Sequence, residues 1–180
     1  MHYTYDNVPV LPRHARRPTL ERRVRTEYVS SIPANTFRNV DRPLPLRHGT
    51  SAREIILECL PHTTAEPWKS DAVYVLECRS NRRATQDAIS ELGKYDTYWD
   101  DEKAATARRR LYVGMTVDLV RRLHDHLNDP DEGGDFPTVH PPIRVLGVFW
   151  FRWYKRAAEA EELIADGLQE RFDQDYVVQL

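Results

Sequence analysis

The chain has 180 residues, enough for one well-packed domain, and its hydrophobic content of 41% is ordinary for a globular protein. A formal charge of −2 conceals an asymmetry, because residues 1–50 hold nine arginines against four acidic side chains while the remainder is net acidic. No apolar stretch approaches the roughly 20 residues of a bilayer span, no signal-peptide pattern opens the chain, and two cysteines make no disulfide framework. These features argue against membrane-embedded and disulfide-scaffold classes and predict a protein of a reducing cytoplasm with no membrane partner.

Residues 1–49 show no sustained period and are punctuated by Pro and Arg, so an irregular basic arm is expected. Its charge suits an anionic partner, nucleic acid first, or simply a solvated tail. Residues 50–70 read as a short helix and linker, with Thr50 and Ser51 placed to cap Ile55, Ile56, Leu57 and Leu60. "DAVYVLEC" over 71–78 has the apolar run of a strand buried on both faces. A polar insert at about 79–108 follows, with helical stretches near 84–92 and 101–107. "RLYVGMT" is then a second strand ending at Gly114, pairing antiparallel with the first.

Thr116 is the expected N-cap of a helix carrying Leu119, Val120, Leu123 and Leu127 along one stripe. Residues 128–142 read as loop, 143–154 as a third strand, and about 156–172 as a helix with Ala157, Ala160, Ile164 and Leu168 inward. The fold class is therefore α+β: a small three-stranded, mainly antiparallel sheet in the order β-β-α-β-α, flanked by helices, with one domain over 71–180.

Arg122 and His126 stand one turn apart and share a helix face, whereas Arg121 belongs with Asp125 on another. Taken alone, Arg122 is as well explained by an ion pair with Asp118, and Tyr74 and Tyr112 by core or rim packing. "HDH" at 124–126 is a poor metal pair, since histidines two apart diverge on a helix. Among three clustered glutamates, Glu159 and Glu162 fall on the polar side of the last helix, but Glu161 lies between Leu168 and Phe172 in direction. A carboxylate among apolar neighbours is expensive unless paired or metal-bound.

"AVYVLEC", "LYVGMTVDLVRRLHDH" and "RAAEAEELI", in that order, resemble the GIY-YIG nuclease superfamily over about residues 71–173. Val73-Tyr74 stands for the first signature, with Ala72 at its glycine, and Tyr112-Val113-Gly114 for the second. Thr116, Asp118, Leu119, Arg122, Leu123 and His126 match the helix that follows, and Ala157, Glu161 and Ile164 match the spacing around the metal-binding glutamate. The chain departs in setting the two tyrosines 38 positions apart, where a dozen or so is usual, in Met115 after the glycine, and in Asp173 where some relatives have asparagine.

The resemblance implies a DNA endonuclease using one divalent ion, Mg²⁺ or Mn²⁺, with Glu161 as its protein ligand and Tyr74, Tyr112, Arg122, His126 and Glu161 as the catalytic set. Either tyrosine could be the base. One carboxylate with several waters is a usual mode for Mg²⁺, and an arginine fork suits non-bridging phosphate oxygens. Gly114 would let substrate approach the strand end. Arg108, Arg109, Arg110 and Arg121 are candidate nucleic-acid contacts. The competing expectations are a non-catalytic nucleic-acid-binding module of the same fold and a protein-interaction domain using the aromatic "VFWFRWY" strand.

Overall fold

The computed structural model describes residues 20–32, 46–59, 70–79, 101–129 and 131–179. The expected helix at 84–92 lies outside them. A four-stranded mixed sheet occupies the middle layer in the order β3-β1-β2-β4: β1 (Asp71–Cys78), β2 (Arg110–Thr116), β3 (Pro142–Phe151) and β4 (Tyr176–Gln179). β1 pairs antiparallel with β2 and with β3, and every residue of β1 is buried, as its unbroken apolar run requires. The sheet has one strand more than expected. β4 runs parallel to β2 along its other edge, and a run of four residues after a helix carries too little period to announce itself.

Pleat alternation sends β1 and β2 side chains to two cores. On one face, Ala72, Tyr74, Leu76, Cys78 and Tyr112 meet Ile55 and Cys59 of α2 (Ala52–Cys59) and Leu119, Leu123 and Leu127 of α4 (Leu119–Asn128). On the other, Val73, Val75, Leu111 and Val113 meet Ala157, Ala160, Ile164 and Leu168 of α6 (Tyr154–Arg171). The inward residues expected of that last helix are those that pack.

Four local expectations are corrected. Within the segment expected to be an irregular arm, Leu20–Arg23, Val24–Tyr28 and Val29–Ser31 form successive α, π and 3₁₀ turns, together α1. Val24, Val29 and Ile32 are buried in the α6 layer, and Arg171 donates to the Val29 carbonyl, so sparse apolar residues found a tertiary partner that proline counting could not reveal. Thr116 shapes the turn by accepting from the Asp118 amide, but Asp118 is the N-cap of α4, accepting from the Arg121 amide at 3.1 Å. The loop at 128–142 contains a helical turn, α5 (Asp135–Val139). The third strand stops at Phe151, and Tyr154 opens α6.

The helix at 52–59 is capped as its sequence suggests. Ser51 and Glu54 exchange hydrogen bonds in a capping box, with the Ser51 amide donating to the Glu54 carboxylate at 2.8 Å. The helical stretch at the end of the insert is α3 (Asp101–Thr106).

Candidate functional site

Register creates the site. Tyr74 on β1 faces Gly114 on β2, and Tyr112, two residues before Gly114, shares that side of the sheet. The Tyr74 ring lies across Gly114 so closely that an added Cβ would sit 2.6 Å from its hydroxyl oxygen and 2.7 Å from Cζ. Gly114 thus makes room for the Tyr74 ring. The two tyrosine rings are 6.2 Å apart, and both are almost wholly buried.

His126 reaches the same place from α4. Its Nε2 is 2.8 Å from the Tyr74 hydroxyl, and its Nδ1 bonds the Gly133 carbonyl. A carbonyl can only accept, so Nδ1 carries the proton and Nε2 is the acceptor; Tyr74 therefore donates to His126. Burial, with the neighbouring Arg122 charge adding to it, brings the His126 pKa down to about 4 despite the carbonyl partner, leaving the ring neutral at pH 7.

Arg122, one turn before His126, donates to the Glu132 carbonyl at 2.7 Å, and its charge favours the ionised form of both tyrosines. The Tyr74 oxygen is consequently a hub: it donates to His126, and the Arg122 charge bears on it against the opposing charge of Glu161. Burial drives both phenol pKa values up, with Arg122 pulling against it, so each tyrosine is protonated in the resting protein.

Glu161 comes from α6, in the layer beyond the sheet, and is 9% exposed. Burial raises its pKa to about 7, and its charge opposes ionisation of Tyr74, which places the two within electrostatic reach. No cation or donor pairs with this carboxylate among the described residues, in contrast to Glu159, which Arg156 holds at 2.8 Å.

Of the five residues named from sequence, Tyr74, Tyr112 and His126 pack ring against ring, and Arg122 and Glu161 act on Tyr74 electrostatically. Arg121 is exposed and pairs with Asp125 at 3.6 Å, and Arg108 is exposed on the sheet edge. Arg109 and Arg110 are different. Both are buried, and Arg109 donates to Asp175 from Nε at 2.7 Å while stacking over Phe172 at 4.6 Å. Arg109 thus ties the start of β2 to the turn before β4, and Arg110 is likewise withdrawn from solvent, so neither offers a surface contact.

The segment 131–140, expected only as loop, supplies groups that orient the side chains of the site. Phe136 stacks on Tyr112 with centroids 6.1 Å apart, while Gly133 and Glu132 supply the carbonyls that orient His126 and Arg122. Gly133 packs against the end of α4, where a Cβ would meet the Asp129 and Asp125 carbonyls at 2.6 and 2.8 Å. The paired glycines of "DEGGDFP" were the signal, read only as a chain breaker.

A divalent ion fits Glu161 on its chemistry. Among the described residues no cation pairs with the buried carboxylate, and the carboxylate does not gather with two further His, Cys, Asp or Glu into a metal-holding group. One carboxylate with water completing the shell is a usual mode for Mg²⁺. Comparison with family models, curated proteins and solved structures gave no match.

Proposed function

We propose that this chain is a divalent-metal-dependent endonuclease that hydrolyses phosphodiester bonds in DNA in the manner of the GIY-YIG nucleases. The observation that carries the reading is the Tyr74 hydroxyl, which donates to a neutral His126 and lies under the influence of the Arg122 and Glu161 charges, beside a glycine that leaves room for its ring.

The chemistry assigned to each residue follows from its protonation. Attack of water on phosphorus forms one P–O bond and breaks another, so one water proton must leave and the departing alkoxide must gain one. Tyr74 takes the water proton as its own phenolic proton passes to His126 Nε2, the one direction that the histidine tautomer permits. The Arg122 charge offsets the negative charge that transiently resides on the Tyr74 oxygen. The Arg122 fork is also suited to the phosphate oxygens. A divalent ion held by Glu161 would supply Lewis-acid stabilisation of the developing phosphate charge. The alkoxide takes its proton from solvent. Of the two tyrosines, the hydrogen bond to His126 favours Tyr74 as base.

The test is cleavage of supercoiled, branched and single-stranded DNA with Mg²⁺ or Mn²⁺ and with chelator, alongside Glu161→Ala and Arg122→Ala. The reading requires metal-dependent cutting lost in both variants. Cutting that survives Glu161→Ala refutes the metal assignment, and no cutting of any substrate, with DNA still bound, turns the reading to a binding module of the same fold.

A further inference from the structure

Away from the tyrosine site, α1 leans against the end of β3 and the start of α6 and leaves a cleft of about 310 Å³, open to solvent. Its walls carry Arg23 from α1, Arg152 and Arg156 from the β3–α6 corner, and the aromatic rings of Tyr28, Trp150 and Trp153, with no acidic side chain among the described residues of the lining. Trp153 is 62% exposed and the adjacent Tyr154 66% exposed, in a chain that buries Phe136, Phe149 and Phe151. Arg152 lies over the Trp153 ring at 5.0 Å. Arg23 and Arg156 hold Glu27 and Glu159 at the outer margin, at 3.0 and 2.8 Å, in exposed ion pairs of the kind that exchange readily for a phosphate.

We propose that this corner binds single-stranded DNA, stacking one base on Trp153 and holding its phosphates with Arg23, Arg152 and Arg156. Exposed flat rings interleaved with arginines suit bases whose faces are free, whereas a duplex keeps its base faces stacked inside. The volume is at the small end for a ligand site, which fits one nucleotide and excludes a duplex. The position is apt. Phe151 pairs with Asp71 and Val148 with Tyr74, so the corner is three residues, or about 10 Å along the strand, from the catalytic tyrosine. Glu161 lies seven residues into the helix that starts there, again about 10 Å away. A strand held at Trp153 and laid along α6 thus comes within one or two nucleotides of Glu161. The proposal rests on the nuclease reading for DNA as the ligand, and it gives α1 a role as one wall of the strand's path.

The test is binding of a fluorescein-labelled thymidine dodecamer by the full chain in chelator, where no cleavage occurs, followed by anisotropy against salt. Trp153→Ala should weaken binding about tenfold or more, and Trp153→Phe should recover most of it. Arg152→Ala and Arg156→Ala should each lower the salt slope by roughly one phosphate's worth. Both side chains are exposed, so circular dichroism should match the parent in every variant. Unchanged affinity and slope in these variants would overturn the proposal. So would equal affinity for a blunt duplex, or displacement of the dodecamer by polyglutamate at equal charge, which marks a generic acidic-peptide surface. A chain that binds the dodecamer through Trp153 yet cuts nothing with metal would leave the cleft standing and sink the nuclease reading; the converse result would do the opposite.

Discussion

Replacing Glu161 by glutamine tests the acid of the site without any substrate. An ordinary glutamic acid near 4.5 that is pushed to about 7 in the folded protein costs on the order of 3 kcal/mol to ionise there, at about 1.4 kcal/mol per tenfold change in acidity. The folded state therefore binds more protons than the unfolded one between those values, and stability falls as pH rises from 4.5 through 7. His126 runs the other way: its folded pKa of about 4 lies below the unfolded 6.5, so its contribution is full above 6.5 and is lost as pH falls through 4. The difference between parent and Glu161→Gln cancels the histidine and isolates the carboxylate. In chelator, urea unfolding should show Glu161→Gln more stable by about 1–3 kcal/mol at pH 8, with the two chains converging near pH 4.5. Adding Mg²⁺ or Mn²⁺ to a hundred times its dissociation constant should stabilise the parent by about 2.7 kcal/mol and leave the variant unmoved. A parent more stable than the variant at pH 8 in chelator would show that a protein group already balances the carboxylate, and equal metal stabilisation of both chains would place the ion elsewhere.

Three further outcomes follow from the packing. Gly114→Ala drives a Cβ into the Tyr74 ring, so it should cost about 1–3 kcal/mol, and a double-mutant cycle with Tyr74→Leu should return most of that cost as coupling energy. Tyr74→Phe removes the hub oxygen; the proposed cleavage should fall by roughly 10²–10⁴, and the His126 pKa, read by NMR titration, should rise from about 4 because the neutral ring loses its donor. Asp175→Asn strands the buried Arg109 charge and should destabilise by about 3–5 kcal/mol in urea unfolding, whereas the double variant Arg109→Met, Asp175→Leu should recover much of the loss.

The parts of the fold legible in sequence were those where one period dominates. The fully buried run of β1, the stripe of α4 and the small inward residues of α6 each declared their layer. What stayed hidden depended on distant partners. α1 is held by Val24, Val29 and Ile32 against α6, and β4 by the Arg109–Asp175 pair, contacts between residues far apart in the chain. The site divides in the same way. Arg122 and His126 share a face by helical spacing alone, and Glu161 stands out as an acid among apolar neighbours. The direction of the Tyr74–His126 hydrogen bond was not legible, because it turns on the Gly133 carbonyl, a backbone atom in a segment read as loop.

The long interval between the tyrosines is the feature that argues most directly against a shared site, and strand register disposes of the objection. β1 and β2 pair from Ala72 opposite Thr116 to Cys78 opposite Arg110, and the insert leaves and returns at the Cys78–Arg110 end. Tyr74 and Gly114 face each other near the opposite end, four residues or about 13 Å from the point of insertion. A hairpin fixes its pairs by which side chains must face the core, and a one-residue slip would turn Tyr74, Leu76 and Tyr112 out of it together. The connection can therefore lengthen at modest entropic cost without moving the tyrosine across from its glycine. Spacing in sequence is a surrogate for this cross-strand pair; the pair, and the absence of a Cβ at Gly114, is what the chemistry needs.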